Sequence, residues 1–318
     1  MTGCKPIPGS DPGYAAVTVA VSAVISVHEI PSRTVAEGDI GFDRRRIGPV
    51  VGTQRIGVSW YQVPSGRRQM PVHVHGEEEE IFYVLAGGGL AWQKDEACAI
   101  GPGDAIVHRP NGRPHTLLAG DEGLTVLAFD SGSESNLTFL PRAGVMWAGP
   151  RWVPLDAPHP FRAEGLAGPL ERPDVDPDGP RPTNVVSLGD VDTGRFPGVE
   201  VRSLGRAAGA VKAGLNHVTL PPGSTGAPPH AHTLEEELFY VLAGSGTITL
   251  GADDHPLTAG DIVARPPASG VTHELRPGPD GLTYLVYGTV EPGDTIYYPT
   301  MGKVLLRGLG VMIDASPD

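Results

Sequence analysis

Apolar and polar residues alternate over short stretches along most of the chain, and glycines and prolines separate these stretches. Segments such as RIGVSWYQV, EIFYVLAG, GTITL and GLTYLVY combine this alternation with many β-branched and aromatic residues. A period of two residues is that of a β-strand with one buried face, and turn residues recur every 8 to 12 residues or so, as is typical of all-β domains. No stretch shows the long 3.6-residue apolar period of an amphipathic helix. The pattern therefore predicts an all-β chain folded as a sandwich or a barrel.

The pattern occurs twice. The stretch EEEEIFYVLAGGG at residues 77–89 returns as LEEELFYVLAGSG at residues 234–246, and the match continues on both sides of it. The offset is 157 residues here and 158 in the later strands, because the second copy has gained one residue shortly after Pro267. Stacked repeat arrays have periods of roughly 20 to 50 residues, so this spacing indicates a duplicated domain. We predict a first domain at residues 25–160, a linker at 161–184 and a second domain at 185–318.

Charge and composition narrow the classes of partner. The chain has 24 Lys plus Arg against 37 Asp plus Glu, and its formal net charge of −13 repels nucleic-acid phosphates and anionic lipid surfaces. We therefore expect neither nucleic acid nor a membrane as a partner. Two cysteines, Cys4 and Cys98, provide no disulfide framework and fit a reducing compartment, so we expect a cytoplasmic protein.

Two further apolar regions lie outside the repeated strands. Residues 14–27 resemble the core of a secretory signal, but only one lysine precedes them and they contain no leucine, which favours a β-strand or a mistaken start site. This stretch is also too short to span a bilayer. In the connection between the copies, we expect Trp147, Trp152 and Phe161 to cover a barrel rather than to face water.

A pair of histidines precedes the repeated stretch in each copy. His73 and His75, like His230 and His232, are two residues apart. Prolines immediately upstream exclude a helix, and residues i and i+2 of a strand point to the same side of a sheet. Two imidazoles on one face, with a carboxylate from the next strand, form most of a metal coordination sphere.

One acid in each copy is the better candidate for that carboxylate. Glu80 and Glu237 are equivalent, since each lies five residues after the second histidine of its copy, whereas Glu77 has no acidic counterpart. We therefore choose Glu80 and Glu237 as ligands. The remaining glutamates of the run are read as solvated loop charge: Glu78, Glu79, Glu235 and Glu236.

A third histidine offers the fourth ligand in each copy. His115 and His273 follow a glycine turn and the next strand. Three neutral histidines and one carboxylate around a divalent ion carry a net charge near +1 and leave about two open positions in an octahedron. Three lone histidines have no predicted role: His28, His159 and His255. Two others could at most line a pocket: His108 and His217.

The order of these residues resembles the two motifs of the cupin superfamily, HxHx4Ex6G and PxGxxH. The resemblance covers residues 55–144 and 214–302. It implies a bicupin, with two double-stranded β-helix (jelly-roll) barrels in tandem and a divalent metal, Fe, Mn, Ni or Zn, in each. The asparagine often found four residues after the last motif histidine is missing, since Ala119 and Pro277 stand there. The implied ligands are His73, His75, Glu80 and His115 in the first barrel and His230, His232, Glu237 and His273 in the second.

Cupins carry out several reactions at such a metal, and the motifs do not choose among them. The architecture resembles oxalate decarboxylases and oxidases, but the arginine that those enzymes carry three residues before the first metal histidine is replaced here by Met70 and Ala227. Gentisate-type dioxygenases generally lack the motif glutamate that both copies keep. We expect a metal-dependent enzyme, of the dioxygenase type or another, acting on a small organic molecule. The alternative is a non-catalytic cupin that holds metal or a small ligand for storage or sensing.

Four residues near the motifs carry weaker expectations. Arg109 and Arg265 flank the second motif and could each hold a substrate carboxylate or cap a strand end in solvent. Tyr83 and Tyr240 follow the ligand glutamate at odd spacing, so we expect them to pack outside the barrel pocket. Duplicated cupins often pair through extended terminal strands, and we expect a homodimer in which residues 15–27 could serve as such a strand.

Overall fold

Antiparallel strands account for most of the chain in the computed structural model, which describes residues 24–132, 137–148, 151–153, 160–196 and 198–315. The strands of the first half are β1 (Ile25–Ser26), β2 (Ser32–Glu37), β3 (Ile40–Arg46), β4 (Gly57–Val63), β5 (Val74–His75), β6 (Glu80–Gln93), β7 (Glu96–Ile100), β8 (Asp104–His108), β9 (His115–Asp130), β10 (Leu137–Leu140), β11 (Val145–Ala148) and β12 (Arg151–Val153). Those of the second half are β13 (Val185–Ser187), β14 (Thr193–Phe196), β15 (Val199–Arg202), β16 (Ala213–Leu220), β17 (Ala231–His232), β18 (Glu237–Leu250), β19 (Asp253–Thr258), β20 (Asp261–Arg265), β21 (His273–Thr289), β22 (Thr295–Tyr298), β23 (Lys303–Leu306) and β24 (Val311–Asp314).

Helices are short. They are α1 (Gly48–Val51), α2 (Pro160–Leu166) and α3 (Leu204–Ala207), with single 3₁₀ turns at Val27–Glu29, Leu188–Asp190, Pro299–Met301 and Arg307–Leu309. In the part of the chain that the structure describes, none has the length and apolar character that crossing a membrane requires.

Each half builds one large and one small antiparallel sheet. In the first, the large sheet has the order β13-β8-β6-β9-β4-β3-β2 with β7 on β6, and the small sheet has the order β12-β11-β10-β5. In the second, the corresponding orders are β1-β20-β18-β21-β16-β15-β14 with β19 on β18, and β17-β22-β23-β24. The predicted all-β fold of two tandem jelly-roll barrels is confirmed.

The motif glycine at the middle of the 14-residue strand in each half has a structural reason. Gly87 in β6 and Gly244 in β18 have φ of 72° and 78°, a region that other residues avoid. A Cβ on either residue would lie 2.2 Å from the carbonyl oxygen of Gly123 or Gly281 in the facing strand. The pairing register shifts at both positions, so the glycine lets a 14-residue strand bend around its barrel.

The two barrels exchange their first strands. Ile25 in β1 pairs with Ile262 in the sheet of the second barrel, and Val185 in β13 pairs with Ile106 in the sheet of the first. The first strand of each half thus belongs to the sheet of the other half. The domain boundaries proposed from the sequence stay a prediction. Of the apolar N-terminal segment, residues 14–23 lie outside the described residues.

Three apolar cores hold the molecule together. Two fill the barrels, and the third, which we name the interbarrel core, lies between them and contains residues from both halves. Tyr83 and Tyr240 lie in the interbarrel core, as expected from their odd spacing. Phe129 and Tyr287, which are equivalent in the two copies, stack there with ring centroids 4.8 Å apart.

The reading of these four glutamates as solvated loop charge is wrong. Glu79 and Glu236 are fully buried, and Glu78 and Glu235 are nearly so. Each fully buried carboxylate crosses to the other barrel and accepts three backbone N–H groups. The donors to Glu236 are Gln54, Arg55 and Ile56, each at 2.8 Å, and the donors to Glu79 are Val211, Lys212 and Ala213, at 3.0 to 3.1 Å. These hydrogen bonds replace the water that an acidic run would otherwise need.

The connection between the copies packs on the first barrel. Phe161 in α2 lies against the core of that barrel, with its ring 6.2 Å from that of Phe42. Glu164 in the same helix is fully buried and pairs at 2.5 Å with Arg68, which is fully buried as well. The expectation that aromatic residues here cover a barrel is met by Phe161, while the side chain of Trp152 lies outside the described residues.

Candidate metal centres

Backbone pairing brings the first four candidate ligands to one end of the first barrel. The N–H of His73 donates to the carbonyl of His115 at 3.1 Å, and the N–H of His115 donates back at 2.9 Å. His75 ends β5 and pairs with β10, while Glu80 begins β6 with its side chain on the barrel interior, the face that Phe82 also occupies. Three separate strands thus deliver the four side chains.

The carboxylate of Glu80 is the point on which the first set converges. Its Oε2 atom lies 3.0 Å from Nε2 of His115, 3.4 Å from Nε2 of His73 and 3.7 Å from Nε2 of His75. The ligand atoms of His73, His75 and Glu80 all lie within 4.8 Å of one another. This spacing is close to that of donors sharing one ion at about 2.0 to 2.2 Å each.

The other ring nitrogen of each histidine is held from outside the set. Nδ1 of His73 contacts the carbonyl of Pro71 at 2.8 Å, and Nδ1 of His115 contacts that of Arg113 at 3.0 Å. Nδ1 of His75 faces the hydroxyl of Thr138 at 3.2 Å and, at 3.3 Å, a carboxylate oxygen of Glu78. A proton on Nδ1 leaves the Nε2 lone pair of each ring for a metal.

Charges within the first set favour an ionised carboxylate. Burial alone would raise the pKa of Glu80, but contacts with His115, His73 and His75 hold it well below its usual range. Burial, together with the nearby His73, lowers the pKa of His115 to about 4. Although burial opposes it, Glu80 raises the pKa of His75 to about 9. A metal entering this set would therefore displace a proton from His75.

The second barrel repeats the arrangement. Nε2 of His273 lies 2.9 Å, and Nε2 of His232 3.4 Å, from Oε2 of Glu237. The ligand atoms of His230, Glu237 and His273 lie within 4.8 Å of one another, and His230 and His273 are joined by the same reciprocal backbone pair. Burial alone would raise the pKa of Glu237, but contacts with the histidines, His273 first, lower it to about 2.

Buried donor atoms in the second set face one another without well-aligned hydrogen bonds. Nε2 of His232, Nε2 of His273 and Oε2 of Glu237 are buried, and none forms a hydrogen bond of good geometry with any described residue. Leaving a buried polar group unsatisfied costs about 1 to 3 kcal/mol. Three imidazole nitrogens and one carboxylate oxygen suit Fe, Mn, Ni or Zn, so the residues present fit a divalent ion.

Asp294, which the sequence analysis missed, supports the second set. Its carboxylate is almost fully buried, lies 2.6 Å from Nδ1 of His232 and accepts the N–H of Leu234 at 2.8 Å. Burial alone would raise the pKa of Asp294, but these hydrogen bonds hold it below its usual range. It lies 62 residues from His232 in a turn of ordinary composition, so no sequence spacing could have pointed to it.

The two flanking arginines have different environments. Arg109 donates from Nε to the carbonyl of Gly209 at 2.7 Å and so contributes to the contact between barrels. Arg265 lines a pocket together with His232 and His273. At the equivalent position of the first barrel, the ring of His108 stacks on that of His115 with centroids 3.5 Å apart.

Comparisons with known proteins agree with this architecture. The family model described as Cupin domain matches the chain twice, at residues 59–130 and 216–285. No curated protein matches the chain in sequence.

Solved structures of two bacterial enzymes resemble most of the chain. Oxalate decarboxylase from Lactobacillus farciminis, in a formate complex, is 18% identical with a TM-score of 0.61, covering 88% of this chain and 89% of its own. Oxalate decarboxylase from Bacillus subtilis at pH 4.6 is 17% identical with a TM-score of 0.58, covering 88% and 78%. At these identities the likeness concerns the fold alone.

Proposed function

The chain belongs to the cupin superfamily as a bicupin, and from this premise we propose that it is a metal-dependent enzyme acting on a small organic molecule. In this proposal each barrel holds one divalent ion. The ligands are His73, His75, Glu80 and His115 in the first barrel and His230, His232, Glu237 and His273 in the second. The observation that carries it is the convergence of imidazole nitrogens on one ionised carboxylate in both barrels, with buried donor atoms in the second that form no well-aligned hydrogen bond.

A divalent ion at such a site would supply Lewis acidity and, if it is iron, the redox capacity that a dioxygenase needs. The chain's own residues hold and orient it. The carbonyls of Pro71 and Pro228 fix the rings of His73 and His230 through Nδ1, and Asp294 does so for His232. Tyr298 stacks on His230 at 5.6 Å and so restricts the movement of that ring.

The proposal does not extend to oxalate, although the structural neighbours are oxalate decarboxylases. The arginine expected three residues before the first motif histidine is absent from both copies. Met70 packs against the core of the first barrel, and Ala227 is an exposed loop residue. Neither side chain can bind a carboxylate, which argues for a different substrate.

Metal content and oxygen uptake test the proposal. We expect near-stoichiometric iron or manganese in each barrel, and oxygen uptake with a member of a panel of phenols and keto acids. His232→Ala should remove the second ion and leave the first, whereas His255→Ala, in the same barrel but outside the donor set, should retain both. Unchanged metal content in His232→Ala would contradict the assignment.

A binding or sensing role is the second candidate function. It is favoured by the burial of the first set, in which His73 and His115 are 4% and 1% exposed, leaving little room for a substrate. Zinc held in a closed four-ligand shell, with no turnover of any compound in the panel, would support this role over the enzyme.

We also propose a cytoplasmic homodimer. Cys98 is buried as a free thiol, which fits a reducing compartment. Val311, Met312 and Ile313 in the edge strand β24 are almost half exposed, as expected of an apolar surface covered by a second copy. A monomeric mass by light scattering at micromolar concentration would contradict the dimer.

A further inference from the structure

The barrels differ at one position beside the ligand glutamate. Glu80 pairs across the sheet with His108 in the first barrel, and Glu237 pairs with Arg265 in the second. Directly paired residues on neighbouring antiparallel strands present their side chains on the same face. The residue at this position therefore stands beside the donor set in both barrels, and only its chemistry differs.

In the first barrel this position carries an imidazole ring, which lacks the fork of a guanidinium group. His108 is buried, and its ring is engaged in a parallel stack on His115, with the planes of the two rings 3° apart. His108 therefore fills the interior space beside the candidate metal and offers no guanidinium contact to a ligand.

In the second barrel the same position carries a guanidinium group. Nη2 of Arg265 donates to the hydroxyl of Ser269 at 3.2 Å and to the carbonyl of Val271 at 2.9 Å, which anchors the group to the loop of the second motif. Its Nε is buried and has no hydrogen-bond partner among the residues described. A buried guanidinium N–H without an acceptor is costly and points to a ligand that supplies one.

The charges around the pocket indicate which ligand. A divalent ion held by one carboxylate keeps a charge near +1, and Arg265 adds a second positive charge on the same pocket. Glu235 also lines this pocket, so an anion with two charges would meet a carboxylate there. A single carboxylate group matches both the guanidinium and the remaining charge.

We propose that the second barrel is the substrate site, and that Arg265 binds the carboxylate group of a small monocarboxylate beside the ion held by His230, His232, Glu237 and His273. The first barrel, with His108 in place of the arginine, does not bind this anion. This inference rests on the proposed function, because it requires a metal in the second barrel.

Nuclear relaxation measures the anion directly, without turnover. The full-length protein is loaded with Mn²⁺, and the relaxation of acetate methyl protons is followed as acetate is added. Arg265→Gln removes the positive charge. Arg265→Lys keeps the charge but loses the forked pair of N–H donors of the guanidinium group. Arg276→Gln is the matched control, because Arg276 is a surface arginine of the same barrel that pairs with Asp254.

We expect Arg265→Gln to weaken acetate binding about tenfold or more, the effect of losing a charged hydrogen bond. Arg265→Lys should lie between it and the wild type, and Arg276→Gln should equal the wild type. His232→Ala should abolish the relaxation enhancement, whereas His75→Ala should retain it.

Four results would overturn the inference: no relaxation of acetate by the loaded wild type, wild-type acetate affinity in Arg265→Gln at equal manganese content, loss of the signal in His75→Ala instead of His232→Ala, or tighter binding of inorganic phosphate than of acetate. A wild-type protein that takes up no manganese, iron, nickel or zinc would contradict the proposed function itself. Manganese uptake with an acetate affinity independent of Arg265 would contradict only this inference.

Discussion

Asp294 shows how a single residue can orient a candidate metal ligand. It fixes the ring of His232 through Nδ1, accepts the N–H of Leu234 and accepts a hydrogen bond from the hydroxyl of Thr233 at 3.2 Å. In the first barrel Nδ1 of His75 faces Glu78 and Thr138, whereas Glu235, the equivalent of Glu78, lies 3.7 Å from Nδ1 of His232. The two candidate sites have equivalent donors but differ in the contact that Asp294 makes, so we expect them to respond separately to substitution.

Replacing Asp294 with asparagine should weaken metal binding at the second site by about 10-fold to 100-fold, because the orienting carboxylate of a metal histidine is lost. Metal binding at the first site should not change. Competition titration with a fluorescent chelator would measure both affinities, and Asp253→Asn, at an exposed residue that begins β19 of the same barrel, is the control. Equal weakening at both sites would point to general destabilisation instead.

Sequence could propose the eight donors but not their surroundings. The candidate donors lie at fixed spacings and recur in both copies, so alternation and repetition are enough to propose them. Asp294, the burial of Glu79 and the stack of His108 on His115 depend on contacts between segments far apart in the chain, and no local pattern records such contacts. Arg265 was considered from the sequence, and its pocket became visible only through pairing with Glu237.

At the scale of elements, the loops before β6 and β18 join the barrels to each other. Glu79 and Glu236 immediately precede the candidate ligands Glu80 and Glu237, and their side chains point to the opposite barrel. A strand sends successive side chains to opposite faces. One glutamate can therefore point to the candidate metal site while the residue before it contacts the other barrel. The acidic run is thus divided between two structural tasks.

Glu236→Gln should lower the free energy of unfolding by about 2 to 3 kcal/mol. The amide places an N–H₂ group where a carboxylate oxygen now accepts N–H donors from residues 54–56, so one oxygen is lost and a donor faces other donors. Chemical denaturation would measure the change. Glu122→Gln, at an exposed residue of β9, should have no measurable effect. If Glu236→Gln loses no more free energy of unfolding than the control does, the hydrogen bonds between Glu236 and residues 54–56 contribute little to stability.

The helix of the connection makes a comparable buried contact. Glu164→Gln leaves the fully buried guanidinium of Arg68 with Asp39 as its remaining charged partner, at 2.8 Å. Removing one member of a buried ion pair costs about 3 kcal/mol or more. We expect denaturation at a lower denaturant concentration and faster proteolysis within residues 161–184. Glu171→Gln, exposed in the same connection, should behave as the wild type.

At the scale of the whole molecule, the two barrels form one cooperative unit. The interbarrel core combines side chains of both halves, and β1 and β13 each complete the sheet of the other barrel. Cutting the chain at the connection would therefore expose two apolar surfaces and leave two sheets without an edge strand. Duplication was visible in the sequence, whereas the strand exchange was not, because Ile25–Ser26 and Val185–Ser187 are too short to carry a pairing signal.

We expect calorimetry to record a single unfolding transition for the metal-free protein, with equal calorimetric and van't Hoff enthalpies. The reason is that neither barrel can keep its sheet and its share of the interbarrel core when the other unfolds. Two separate transitions would contradict the cooperative unit.

Four side chains in each barrel should bind one metal ion, and anomalous X-ray scattering locates such ions without an assay of activity. From crystals grown without chelator and supplied with iron, manganese, nickel or zinc, we expect one anomalous peak per barrel, each within bonding distance of three histidine Nε2 atoms and one glutamate oxygen. If both barrels lack a peak and the imidazoles are turned apart and hydrogen-bonded to water, the proposed metal sites do not exist.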